Sequence, residues 1–122
     1  MIDYYIKLVH TFPISNIEDG FDQDDFEAFH LLKSQIPEIQ IVGDDLFATN
    51  VNRLKEGIEK DSANAILLKI NQIGTVSEAL ETSKIAMEQG YDVIVSLRSG
   101  ETNDDFIADL AVAIGAKQIK LG

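Results

Sequence analysis

Residues 92–105 read DVIVSLRSGETNDD, in which an apolar run gives way to a serine, a leucine, an arginine and a polar loop. Val93, Ile94 and Val95 are β-branched, and such side chains favour the packed, pleated environment of a strand. An apolar run without alternation is typical of a strand covered on both faces. The stretch therefore predicts a buried strand whose carboxyl end carries more polar side chains than a turn requires.

Four other short segments resemble this strand. They are PISNI at 13–17, IQIVG at 39–43, AILLKI at 65–70 and QIKLG at 118–122. The strand ends recur every 23 to 28 residues, measured at Glu18, Asp44, Lys69, Leu97 and Lys120. Near-continuous apolar strands that alternate with amphipathic segments are typical of parallel β/α units. The pattern predicts an α/β fold of about five parallel strands.

The segments between these strands carry helix signals. Apolar residues at helical spacing predict helices that contain Ile2 to Val9, Phe26 to Leu32 and Phe106 to Ile114. Asn50 is a candidate N-cap, and Thr75 with Glu78 forms a capping box whose helix ends at Gly90. Each helix therefore has a predicted place in the repeat.

Composition limits the classes of function. A length of 122 residues with 45% hydrophobic and 25% charged residues predicts a single folded domain over 1–122. A formal net charge of -11 disfavours nucleic acid and anionic membrane surfaces as partners. The chain has no cysteine and its first residues lack the pattern of a secretory signal, so we expect a cytoplasmic location.

Charged residues at the predicted strand ends indicate a functional site, because parallel β/α folds build their sites at the carboxyl ends of the strands. Glu18 and Asp44 offer the oxygen ligands that Mg²⁺ prefers. Lys69 is a candidate base, or else a surface lysine whose stem covers apolar residues. A solvated rim of charges is the alternative interpretation of the whole set.

Arg98, Ser99 and Lys120 complete the predicted constellation. Arg98 with Ser99 and nearby backbone amides can bind a phosphate, and Lys120 can meet a second anionic group. Together with a metal, these residues indicate a small substrate that carries two anionic groups.

The wording of the motifs resembles a known family. IEDGFDQDDFEAF, IQIVGDDL, ILLKINQIGTVSEA, SLRSGETNDDFIADLAV and QIKLG resemble, in order and spacing, the carboxyl-terminal part of enolase, or phosphopyruvate hydratase. The resemblance implies a partial TIM-type barrel, with a rearranged flavodoxin-like open sheet as the alternative. It also implies the glycolytic dehydration of 2-phosphoglycerate to phosphoenolpyruvate with Mg²⁺.

The resemblance implies a role for each matching residue. Glu18 and Asp44 match two of three metal-binding carboxylates, and Lys69 matches the base that removes the proton beside the substrate carboxylate. The residues that match substrate-binding positions are Ser96, Arg98, Ser99 and Lys120. The polar residues that crowd the end of the opening strand are thereby interpreted as a phosphate-binding segment.

Four positions depart from the family pattern. Leu97 stands where the family has histidine, Gly20 where it has proline, Asn16 where it has serine and Leu121 where it has threonine. The third metal-binding carboxylate and the acid that protonates the leaving hydroxyl lie in parts of the pattern that these residues do not match. We therefore expect about half of a barrel of roughly 250 residues, inactive by itself. The alternative function is a non-catalytic enolase-derived domain with a structural, self-association or weak ligand-binding role.

A half barrel also predicts association. Its outer helices cover one face of the sheet, so the apolar strand residues are expected to need cover on the other face. The residues concerned are Ile14, Ile41, Val42, Leu67, Leu68, Val93 and Val95. We expect a homo-oligomer, most simply a two-fold dimer, or a complementing chain.

Overall fold

The computed structural model describes residues 1–121. Within this range the helices are α1 (Ile2–Thr11), α2 (Phe26–Gln35), α3 (Val51–Glu59), α4 (Ile70–Ile73), α5 (Val76–Glu88) and α6 (Phe106–Ala113). The strands are β1 (Asn16–Glu18), β2 (Gln40–Gly43), β3 (Ala65–Leu68), β4 (Asp92–Ser96) and β5 (Gln118–Lys120). No helix in the described part of the chain is long and apolar enough to cross a membrane.

Side-chain caps fix the starts of three helices. Asp25 accepts a hydrogen bond from the amide of Ala28 at 3.0 Å and so begins α2. Asn50 caps α3, and Thr75 accepts the amide of Glu78 at 3.2 Å to begin α5. Such caps are worth about 1 kcal/mol each. The caps predicted at Asn50 and Thr75 are confirmed.

The end of β3 differs from the sequence prediction. The strand was expected to include Lys69 and Ile70, but it ends at Leu68, and Ile70 begins the short helix α4. Lys69 is extended and donates its amide at 3.0 Å to the hydroxyl of Thr49. Apolar patterning could not predict this change, because the partner of that amide lies 20 residues earlier.

The five strands form one parallel sheet in the order β1-β2-β3-β4-β5. This sequential order confirms the partial barrel and shows that the flavodoxin-like alternative is wrong, because that fold has the order 2-1-3-4-5. Each strand is followed by its neighbour in the sheet, and such parallel connections are right-handed crossovers. Because all the crossovers run in the same direction, the helices lie on one side of the sheet. The main core lies between that side and the helices and contains Phe29, Leu54, Ile66 and Val95.

The opposite face is concave and holds a small second core of Val42, Ala65, Leu67 and Ile94, each no more than 6% exposed. The expected exposure of apolar strand residues was therefore wrong. Six of the seven named residues are no more than 3% exposed within one chain, namely Ile41, Val42, Leu67, Leu68, Val93 and Val95. The seventh, Ile14, is half-buried.

Ile41, Leu68, Val93 and Val95 lie in the main core under the helices, so curvature of the sheet has to explain only the burial of the concave face. Glu18 on β1 and Lys120 on β5 form an ion pair at 2.7 Å, although four strand spacings would separate these edges by about 19 Å in a flat sheet. At the amino end, Asp92 accepts hydrogen bonds from Gln40 at 3.0 Å and Lys117 at 2.9 Å. Polar contacts thus bound the concave core at both ends.

Candidate active site

A cavity of about 240 Å³ lies at the carboxyl ends of β2 to β5. Its lining residues are Asp44, Lys69, Ser96, Leu97, Ser99, Lys120 and Leu121. Five of the predicted site residues therefore meet in one place. They meet because β2 to β5 are neighbours in register, with Ser96 opposite Lys120, so their carboxyl ends share one edge.

An ion pair between Lys69 and Asp44 forms the floor of this cavity. The Lys69 Nζ donates to Asp44 Oδ2, and the two side chains are only 13% and 11% exposed. The Nε2 of Gln72 also approaches Asp44 Oδ1 at 3.4 Å. The predicted base and one predicted metal ligand are therefore direct partners in a largely buried pair.

Asp19 positions the backbone that carries Asp44. Its two carboxylate oxygens accept hydrogen bonds from the amides of Asp44 at 2.9 Å and Asp45 at 2.8 Å. Burial raises the pKa of the Asp19 carboxyl, and the two amides act in the opposite direction. Sequence reasoning gave Asp19 no role, and its only signal was its place beside Glu18.

Carboxylate oxygens of Asp19, Asp44 and Asp45 lie within 4.8 Å of one another. This grouping differs from the predicted pair of Glu18 and Asp44. Because both Asp19 oxygens already accept backbone amides, its carboxylate acts here as an internal hydrogen-bond acceptor.

Glu18 lies on the far side of the site and contacts Lys120. Both Glu18 oxygens accept from the Lys120 Nζ, at 2.7 and 2.8 Å. The Ser96 hydroxyl lies 3.2 Å from the Lys120 carbonyl and 3.2 Å from the Leu97 carbonyl, and can donate its one proton to either. Each predicted metal ligand thus has a lysine partner, Glu18 with Lys120 and Asp44 with Lys69.

The predicted phosphate-binding pair is divided in the structure. Ser99 lines the cavity, whereas Arg98 is exposed and is not among the lining residues. The loop that carries them is tied to α4 by a hydrogen bond from Asn71 to Glu101. A second cavity of about 300 Å³ shares Ser96 and Leu97 with the first.

The carboxylate oxygens of this site are of the chemical type that binds a hard divalent cation. Glu18 and Asp44 offer carboxylate oxygens at the rims of adjacent strands, which is the ligand type that Mg²⁺ selects. The Lys69 ammonium contacts Asp44 Oδ2, so a cation bound at that oxygen would compete with the ion pair.

Comparisons with known proteins agree on one family. Residues 1–122 match the family model described as "Enolase, C-terminal TIM barrel domain". The chain is 56% identical over 122 residues to the enolase of Methanocaldococcus jannaschii and 54% identical to that of Methanococcoides burtonii. In both cases the match covers 100% of this chain and 29% of the relative. The chain thus spans less than a third of the length of these curated relatives.

Proposed function

This chain belongs to the enolase family, and from that premise we propose that it provides the base-bearing part of an enolase active site. The proposed reaction of the complete site is the dehydration of 2-phosphoglycerate to phosphoenolpyruvate, a glycolytic step, in the cytoplasm. The observation that carries the proposal is the buried Lys69–Asp44 pair in a cavity that Ser99 and Lys120 also line.

The proposed roles follow the family match and the geometry together. Lys69 removes the proton beside the substrate carboxylate, and Lys120 faces that carboxylate. Ser96, Arg98 and Ser99 bind the phosphate, although Arg98 must turn inward from its exposed position to do so. Asp44 and Glu18 hold Mg²⁺.

Magnesium, when bound, stabilises negative charge that develops on the substrate. A lysine base with magnesium is the established scheme of the enolase superfamily, so the roles of both come from family membership. What the geometry adds is a coupling between them. The Lys69 Nζ contacts Asp44 Oδ2, so it must leave that contact before it can face a substrate proton as a base.

A second candidate function is a non-catalytic domain that retains the fold and binds ligands weakly. Its supporting observation is that Glu18 and Asp44 each form an ion pair with a lysine of the same chain. We propose that the 122-residue chain alone shows this behaviour, and that turnover needs a complementing chain or further residues of the family pattern.

A turnover assay with 2-phosphoglycerate and magnesium separates the two functions. We expect no product above background from the 122-residue chain, because base, metal ligands and acid must act on one substrate together. Measurable turnover that Lys69→Ala abolishes would instead show that the chain is an enzyme by itself.

Calorimetric titration tests the proposed metal ligands. Magnesium should bind in about the millimolar range, because two carboxylates leave an octahedral ion mostly hydrated. Asp44→Asn should remove this binding. Asp109→Asn makes the same change of charge on the exposed surface of α6 and should leave it intact. Equal affinities of the two variants would place the metal elsewhere.

A further inference from the structure

We propose that Thr49 is a positioning residue for Lys69, acting through its buried hydroxyl on the backbone of Lys69 and the side chain of Gln72. The proposal rests on the proposed function, because Lys69 matters to catalysis only if it is the base. Thr49 lies between β2 and α3 and is 0% exposed. It is not among the residues with a proposed role in catalysis or binding.

The hydroxyl of Thr49 lies between two groups of the Lys69 segment. It accepts the Lys69 amide at 3.0 Å and lies 2.9 Å from Gln72 Oε1. A hydroxyl has one proton to donate. The Leu67 carbonyl is the other candidate acceptor, but it lies at 3.4 Å, so the proton goes to Gln72.

This assignment fixes the orientation of the Gln72 amide. With Oε1 toward Thr49, Nε2 faces Asp44 Oδ1 at 3.4 Å. Thr49 therefore reaches both members of the ion pair, Lys69 through its backbone and Asp44 through Gln72. It touches neither charged group directly.

The backbone at Thr49 has an unusual conformation. Ala48 and Thr49 both have positive φ, 46° and 53°, and that region is unusual for a β-branched residue. Such conformations persist where the surroundings enforce them. The Thr82 hydroxyl packs against this segment, 2.9 Å from the Thr49 carbonyl and 2.9 Å from the Glu78 carbonyl, and has one proton to donate between them.

Valine and serine separate the hydroxyl from the shape of Thr49. Thr49→Val keeps the shape and removes the hydrogen bonds, whereas Thr49→Ser keeps the hydroxyl. Ser62→Ala is the matched control, because it also removes a buried hydroxyl bond, to the Phe26 carbonyl at 2.9 Å, but ahead of β3. All three variants are made in the 122-residue chain.

The test measures hydrogen exchange of the Lys69 amide and the nitrogen-15 signal of its ammonium group. In Thr49→Val the Lys69 amide should exchange about tenfold faster, as expected for a lost hydrogen bond, and the ammonium signal should weaken as the pair with Asp44 loosens. Thr49→Ser and Ser62→Ala should retain both wild-type signals.

Wild-type exchange and ammonium signal in Thr49→Val would overturn the positioning role, and so would an equal change in Ser62→Ala. Neither measurement uses a ligand, so the proposed function fails separately. If wild-type chain binds neither magnesium nor phosphoenolpyruvate in titration, the proposed function is wrong, while the exchange data still decide what Thr49 positions.

Discussion

Ala48 has a backbone conformation that costs free energy for alanine and little for glycine. Its φ of 46° lies in the left-handed region, which an alanine enters at a cost of about 1 kcal/mol or more. We expect Ala48→Gly to raise the free energy of unfolding by up to about 1 kcal/mol, although the freer unfolded chain offsets part of the gain.

Denaturant unfolding measures the effect of Ala48→Gly. Ala108→Gly, at an exposed position of α6, is the control and should lower the free energy of unfolding by about 1 kcal/mol. If both variants are destabilised alike, Ala48 is not strained.

Tyr91 predicts a loss of stability at high pH. Burial raises the pKa of its phenol from 10.0 to about 12. Between these values the unfolded chain releases the proton and the folded chain retains it, so rising pH favours unfolding by up to about 1.4 kcal/mol per pH unit. Absorbance titration of the folded chain should show one tyrosine that ionises late.

The variant Tyr91→Phe isolates this effect. Its unfolding free energy should fall less steeply than that of the wild type from pH 10 to pH 12. Tyr4→Phe changes an exposed ring and serves as the control, with the wild-type slope expected. Parallel curves for Tyr91→Phe and the wild type would contradict the raised pKa.

At the scale of elements, helix propensity and core packing favour different residues at position 57 of α3. A Cβ on Gly57 would overlap the ring of the fully buried Phe47. Alanine in a helix interior is favoured over glycine by about 1 kcal/mol, but overpacking a core costs about 1–3 kcal/mol. We expect Gly57→Ala to lower the free energy of unfolding by up to about 2 kcal/mol.

Thermal and denaturant unfolding of Gly57→Ala should be compared with Lys55→Ala on the exposed side of the same helix. Lys55→Ala should have almost no effect, since the propensities of the two residues are similar. A stabilised Gly57→Ala would show that Phe47 moves aside freely.

Elements marked by local chemistry were predictable, and those set by distant partners were not. The caps at Asn50 and Thr75 act within three residues, so the sequence displays them. The short helix α4 begins directly after Lys69, whose amide bonds to Thr49, 20 residues earlier.

The same division holds for the candidate site. Its strand-end charges repeat with the β/α unit, so Asp44 and Lys69 could be found from the sequence. Their mutual pairing, the outward position of Arg98 and the supporting role of Asp19 could not be predicted, because side-chain partners depend on the curvature and register of the sheet.

At the scale of the whole molecule, we still expect the chain to self-associate, but through a surface other than the concave face. The concave interior is buried within one chain, so it offers little drive for a dimer in which each half completes the other. Exposed apolar side chains lie instead near the β5 edge, where Ile119 is 42% and Val112 is 83% exposed. We expect two copies to associate through this edge.

Sedimentation at micromolar concentration tests this association. Added salt should favour the dimer by screening repulsion between chains of charge -11. Ile119→Lys, which puts a charge on the edge strand, should shift the equilibrium toward monomer. Glu88→Gln makes the same change of net charge at the end of α5 and serves as the control. A monomer under all conditions would rule the dimer out.

The ion pair between Glu18 and Lys120, which joins the two edge strands at their carboxyl ends, also affects the kinetics of folding. Strand pairing joins successive β/α units, whereas Glu18 and Lys120 lie 102 residues apart. Their contact requires closure of the longest loop in the sheet, and it can form only after the intervening strands have paired. We expect a contact made that late to be absent from the folding transition state. It should therefore slow unfolding without accelerating folding, so the sheet, once closed, should open slowly.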